Sequence, residues 1–380
     1  MRALIFPNDP LIAYVQKGEL KERYFNPKNI FDEIHFVTFS DVECEIEEIQ
    51  KTIGNAKGYI HRIDRLSFLD MFFPRKRVNE VYEIVKNIEF DVVRSYNPIF
   101  NGFYAGLVAK KYNKPFLISL HGNYDLDIRY QYLKNKDKRY LKYLLTKLII
   151  EPKTIGMATH VLGAYKFAAR YAIDNGFDKN RVSIIYNRVY FDRFQPKDKI
   201  IDSKDIKVIC VGRLIQEKGQ RVLIDAIPKL SKNIFFTFVG DGEDYDLLQS
   251  KVKMYGIESR VRFIKSIPNE KLAELYREHD IFSLPIRYGG VCIPALEATA
   301  SGLALVMPKP IHEESPEIVG EYALVVENSP DGFAKGIQRV ANDFKLRKSM
   351  VEKGLKIIKK YNGDIMEEKE ANLYKRLING

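Results

Sequence analysis

A chain of 380 residues, 46% hydrophobic and 29% charged, is longer than one hydrophobic core usually supports and too evenly mixed for a disordered or fibrous polypeptide. Two globular domains are expected, and no 18-residue stretch is free enough of Lys, Arg, Asp and Glu to read as a membrane-crossing helix. The formal charge of +11 points to anionic partners, or to a Lys-rich surface that needs none.

The first candidate strand is Arg2–Phe6, followed by Pro7, Asn8, Asp9 and Pro10, which interrupt the apolar run that a signal peptide needs. Further strands are predicted at His35–Phe39, Gly58–His61, Asp91–Arg94, Phe116–Leu120, His160–Leu162 and Val182–Tyr186. A second series falls at Lys207–Val211, Phe235–Val239, Val261–Ile264, Ile281–Leu284, Ala304–Met307 and Ala323–Val326. Short β-branched runs separated by longer stretches of helical period are the pattern of parallel strands with crossover helices, so both halves read as doubly wound α/β sheets.

The charged stretch from Gln195 to Lys204 marks the boundary between domains 1–195 and 196–360. The segment 361–380, with Ile365, Met366, Leu373 and Leu377 among Glu and Lys, reads as an amphipathic helix. Cys44, Cys210 and Cys292 form no CxxC pair, so neither a disulfide framework nor a zinc site is expected, and a reducing cytoplasm is.

Chemistry concentrates at two places in the second half. Val208 to Gly219 ends a buried strand at Gly212 and then offers Arg213 and Lys218 before a helix carrying Val222, Leu223, Ala226, Ile227 and Leu230. Ligands of doubly wound sheets sit outside the strands' carboxyl ends, and a planar guanidinium beside a compact ammonium suits a diphosphate. On their own, two such cations are also what a solvated surface carries.

Further on, Tyr288 to Gly302 has paired glycines, Pro294 at a first helical position and Gly302 at a helix stop. The N-terminus of that helix would favour an anion. Glu297, placed in its first turn, either stabilises the helix end or accepts hydrogen bonds from ribose hydroxyls. Glu243 and Asp244 read as a solvated turn.

The runs VGRLIQEKG, VGDGED, VRFIKSI and GGVCIPALEATASG, in this order and spacing over about residues 205–330, resemble the GT-B-fold retaining glycosyltransferases of family 4. His121-Gly122 and Ile184 to Val189 match more loosely. The resemblance implies two Rossmann-like doubly wound domains facing a central cleft: an N-terminal acceptor-binding domain and a C-terminal nucleotide-sugar-binding domain. It further implies that Arg213 and Lys218 hold the diphosphate, that Gly290, Val291, Cys292 and Ile293 give backbone contacts to sugar and phosphate, and that Glu297 is the second glutamate of an E-x7-E motif. The base would lie near Ile264 to Ile267. Where the family has its first glutamate this chain has Gly289, so either Arg287, Glu313 or Glu314 holds the sugar hydroxyl, or the donor sugar differs, or turnover is weak.

His121 follows the predicted strand Phe116–Leu120, and the resemblance turns it toward the donor sugar as a catalytic residue with Arg213 and Lys218. Asp125 and Asp127 form a DxD that could hold a divalent metal on phosphates. The cation pair makes that metal redundant, so an acceptor loop is expected, with no metal and no cofactor.

Tyr132 to Lys147 sets six cations against Asp137 among leucines and tyrosines, and Phe72 to Arg77 joins two Phe to three cations. Both suit an anionic membrane face, or an ordinary helix whose Lys stems cover the core. The expected activity is retaining, metal-independent hexosyl transfer from a UDP- or GDP-sugar to a glycan or lipid-linked acceptor of the cell envelope, at the inner membrane face and without nucleic acid. The alternatives are a nucleotide-sugar-binding scaffold weakened at Gly289, or an epimerase or phosphorylase of the same fold.

Overall fold

A computed structural model describes residues 1–18, 20–67, 70, 72–197, 200–287 and 290–380. Gly289, which stands at the first-glutamate position of the donor-binding motif, and Tyr288 lie outside the described residues. The chain folds as two units, Met1–Tyr186 with Met366–Gly380, and Asn187–Ile365.

The first unit is built on strands β1 (Arg2–Phe6), β2 (Glu33–Phe39), β3 (Lys57–Ile63), β4 (Val92–Ser95), β5 (Phe116–Leu120), β6 (His160–Gly163) and β7 (Val182–Ile184). They form one parallel sheet in the order β3-β2-β1-β4-β5-β6-β7. Strands covered on both faces have no wet side, which is why they read as unbroken apolar runs. Leu4, Phe6, Val93 and Ile118 pack there with Val81, Val85, Tyr104 and Val108 from the helices Arg75–Val85 and Phe100–Tyr112.

The second unit holds β8 (Ile206–Val211), β9 (Ile234–Val239), β10 (Val261–Ile264), β11 (Ile281–Ser283), β12 (Ala304–Pro308) and β13 (Leu324–Val326). Their order is β10-β9-β8-β11-β12-β13, again parallel. In each sheet the chain winds outward from the first strand, returns and winds the other way. The switch points, where two neighbouring strands send their chains to opposite sides, lie between β1 and β4 and between β8 and β11.

The last helix, Gly363–Asn379, returns the chain to the first unit from Met366 onward. Met366, Ala371, Leu373 and Tyr374 are buried, while Ile365, read as part of its apolar face, is 41% exposed. Glu367, fully buried, accepts from Arg23 Nε (2.7 Å) and the Lys28 amide (2.9 Å).

Candidate functional site

At the switch point of the second sheet, β8 ends at Val211 and the chain turns through Gly212 into Arg213. Arg213 is exposed and Lys218, closing the short turn Gln216–Lys218, is half-buried. Among the described residues neither side chain meets a carboxylate. Two uncompensated cations on one loop repel one another and are stabilised by a bound anion.

Sequence reading missed the residue that braces this loop. Gln220 is fully buried, and its Nε2 donates to the Arg213 carbonyl at 2.9 Å. A Gln directly after the glycine that opens the helix Gln220–Ala226 is the signal that could have found it. Gly219 has φ +73°, and a Cβ there would stand 2.3 Å from the Pro285 carbonyl oxygen, on the loop after β11. Gly219→Ala is therefore expected to cost about 1–3 kcal/mol, read as a lowered thermal midpoint.

The loop after β11 comes back against this turn, with the Arg287 amide 3.4 Å from the Glu217 carbonyl. Gly290 has φ +113°, and the chain then enters the helix Ile293–Ala300. Cys292 is its N-cap in extended backbone, its carbonyl accepting from the Ala295 and Leu296 amides at 3.0 and 3.2 Å. Desolvation pushes the Cys292 thiol up to about 11, against the pull of the Lys218 charge, which also acts on buried Cys210 in β8. The Lys218 turn and the Gly290–Ile293 segment thus meet at one strand edge.

Two expectations need correction. Because the helix begins at Ile293, Pro294 is its second residue and Glu297 its fifth, beyond the first turn. A carboxylate there does not cap the N-terminus. Instead it accepts from the hydroxyl of buried Tyr276 at 3.3 Å, and Tyr276 resists ionisation through its own burial and then through the Glu297 charge. The expected stop at Gly302 does form: its amide bonds the Thr299 carbonyl (3.0 Å) and the Leu303 amide bonds Ala298 (3.0 Å), with Gly302 at φ +81°.

Asp244, read as a solvated turn with Glu243, is 2% exposed. It pairs with Arg221, whose Nε donates at 2.8 Å. Ile264 ends the edge strand β10, with β9 between it and β8, so it lies along the same carboxyl edge without joining the Arg213 loop. Glu314 is 94% exposed and bonds Lys309 at 2.9 Å.

In the first unit, His121 follows β5, and its ring stacks on that of Tyr96 with centroids 5.7 Å apart. The residue keeps an exposed edge, yet desolvation by the protein around it and the Arg94 charge lower its pKa, so the imidazole is neutral near pH 7. The next turn, Tyr124–Arg129, is a π-helix, a form that recurs at functional sites. The DxD residues have different fates there. Asp125 is committed to Arg129 (2.7 Å), Lys147 (2.7 Å) and Asn175 (3.1 Å).

Asp127 has a buried Oδ1 with no hydrogen-bond partner among the described residues, and desolvation raises its carboxyl to about 6. The folded value stands above the unfolded one, so the stability this group contributes is complete below about pH 4 and lost as pH rises through about 6. Asp127→Asn is expected to stabilise the protein by on the order of 1–3 kcal/mol at pH 8 and by little at pH 4, measured by chemical denaturation at both.

Each half of the chain matches a known protein family. The model of the glycosyl transferases group 1 matches residues 191–357. That of glycosyltransferase family 4 matches 32–193. The chain belongs to the family 4 glycosyltransferases.

The glycosyltransferase is 26% identical to the uncharacterized glycosyltransferase MJ1069 of Methanocaldococcus jannaschii, over 84% of this chain and 81% of that protein. It is 28% identical to a second from the same organism, MJ1607, over 52% of this chain and only 54% of that protein. It also resembles the crystal structure of Anabaena HepE in complex with UDP, with a TM-score of 0.72 at 13% identity over 99% of this chain and 100% of that one. A likeness of that length shows the GT-B fold.

Proposed function

We propose that this glycosyltransferase takes a sugar from a UDP- or GDP-linked donor with retention of configuration, holding the diphosphate between Arg213 and Lys218 at the β8/β11 switch point. The single observation behind this reading is that pair of cations, uncompensated among the described residues, beside the N-terminal segment Gly290–Ile293. Charge developing on the leaving diphosphate would be met by groups already in place, which is where electrostatic catalysis gains most. Glu297, which accepts from the Tyr276 hydroxyl, would accept from ribose hydroxyls in this reading.

Neutral His121 retains one N–H donor and one acceptor, suited to a sugar hydroxyl rather than to protonating a leaving group. Metal need not enter this reading. The two cations supply the charge a metal would, and Asp125 is saturated by Arg129 and Lys147. The test is nucleotide release from UDP-glucose and GDP-mannose in excess EDTA. Release that appears only when a divalent metal is restored would overturn the metal-independent reading.

The acceptor we propose is lipid-linked or part of an envelope glycan, met at an anionic membrane face. On and beside the helix Arg139–Ile149, Leu133, Leu141 and Leu148 are 57–67% exposed rather than covered by Lys stems, and Lys134, Lys136, Lys138 and Lys142 lie among them. Phe73 is 73% exposed beside exposed Arg75 and Lys76. Among the described residues no helix is long and apolar enough to cross a membrane. Co-sedimentation with anionic liposomes is expected at physiological salt and should fall about tenfold in a Leu141→Ser, Lys142→Ser variant. Equal pelleting with neutral liposomes would sink the idea.

A further inference from the structure

Arg94 is a charged side chain on β4, inside a parallel sheet, and it is 4% exposed. Such a position normally carries an apolar residue. Its partners are in place: Nη1 donates to Glu370 (2.5 Å) and to the Tyr374 hydroxyl (2.6 Å) on the last helix, and Nε donates to Ser119 Oγ (3.0 Å). A buried ion pair of this kind is poor evidence of stability, because apolar packing of equal volume usually does as well. Its place in the fold is more informative.

The guanidinium carbon lies 4.3 Å from the centre of the Tyr96 ring, and Tyr96 stacks in turn on His121 with 17° between the ring planes. Tyr96 is 1% exposed and its hydroxyl has no hydrogen-bond partner among the described residues. No polar contact of the phenol therefore orients this ring; ring contacts to Arg94, His121, Tyr24 (5.6 Å) and Phe25 (5.5 Å) hold it.

We propose that Arg94 is a positioning residue for His121, acting through Tyr96, and that Glu370 on the returning C-terminal helix sets the net charge beneath that imidazole. This rests on the reading of His121 as a sugar-facing residue. The charged and titratable groups around the ring are Arg94 and Tyr96 from β4 and its end, Lys21 and Tyr24 from the segment before β2, Glu370 and Tyr374 from the last helix, and Tyr165, whose hydroxyl donates to the His121 carbonyl at 2.7 Å. Arg94 and Lys21 oppose protonation and Glu370 favours it. A sequence change at residue 370 would thereby reach a ring more than 240 residues earlier in the chain.

The experiment is an NMR titration of the full-length protein, with the His121 signal identified by its absence in His121→Gln. Arg94→Met should move the His121 midpoint to higher pH and Glu370→Gln to lower pH. General loosening of the fold would move both in the same direction. Tyr96→Phe keeps the ring stack and should leave the midpoint in place, whereas Tyr96→Leu should raise it. Should Arg94→Met fail to fold, Glu370→Gln and the two Tyr96 variants carry the test. An unchanged midpoint in both Glu370→Gln and Tyr96→Leu overturns the proposal.

Nucleotide release from UDP-glucose is followed in the same variants, and kcat is expected to fall about tenfold in Tyr96→Leu with KM unchanged. If His121→Gln leaves release unchanged, the sugar-facing reading of His121 fails. The NMR midpoints still decide the positioning.

Discussion

Glu151→Ala is expected to lower stability by about 3–5 kcal/mol, seen as a fall of roughly 10 °C in the thermal midpoint of the first unit. Glu151 is 1% exposed and faces Arg129, which is 5% exposed; the two form an ion pair, and Glu151 also accepts from Thr146 Oγ1 (2.8 Å) and the Tyr171 hydroxyl. Removing the carboxylate leaves a buried guanidinium with Asp125 as its remaining carboxylate and strips the Tyr171 hydroxyl of its acceptor, while Thr146 keeps the Tyr143 carbonyl at 2.9 Å. Glu151→Gln, which keeps an acceptor oxygen, should lose less than half as much. A loss below about 1 kcal/mol in Glu151→Ala would show that water or rearrangement compensates the charge. Arg129 closes the π-helical turn that follows His121, so if His121 serves the donor as proposed, the same variant should also weaken donor turnover.

Arg213→Ala and Lys218→Ala are each expected to reduce kcat/KM for the donor by at least about 10–150-fold, the worth of one charge-assisted hydrogen bond to a charged ligand, with the forked Arg213 losing the more. Arg213→Lys should recover only part of this, because an ammonium cannot engage two phosphate oxygens in a fork. Thermal midpoints without ligand should hardly move, since neither side chain meets a carboxylate among the described residues. Loss of activity together with a large loss of stability would instead mark these cations as structural.

Much of the fold was legible because parallel strands covered on both faces read as apolar runs, and all thirteen predicted strands form, with ends displaced by a residue or two. The Arg213 loop was legible for a related reason: a glycine at a buried strand's end followed by cations is a local pattern, and the sheet places it. What escaped the sequence depended on partners far along the chain. Asp244 sits in a run, Gly240 to Asp244, whose composition signals a wet turn, and only Arg221, 23 residues earlier, makes it a buried ion. Glu297 depends similarly on Tyr276, and its helical position turned on a start one residue before Pro294. The amphipathic pattern of the last helix reports a buried face but not its cover. Neither Arg94 with Glu370 nor Glu367 with Arg23 could be paired from residues so far apart.

The measurement closest to the central claim is a calorimetric titration of UDP and GDP, each against its own monophosphate, in EDTA. If Arg213 and Lys218 hold a diphosphate, at least one diphosphate should bind about tenfold or more tightly than its monophosphate, and Arg213→Ala should abolish most of that difference while leaving monophosphate affinity nearly unchanged. Equal affinity for diphosphate and monophosphate, or a preference that survives in Arg213→Ala, would contradict the account.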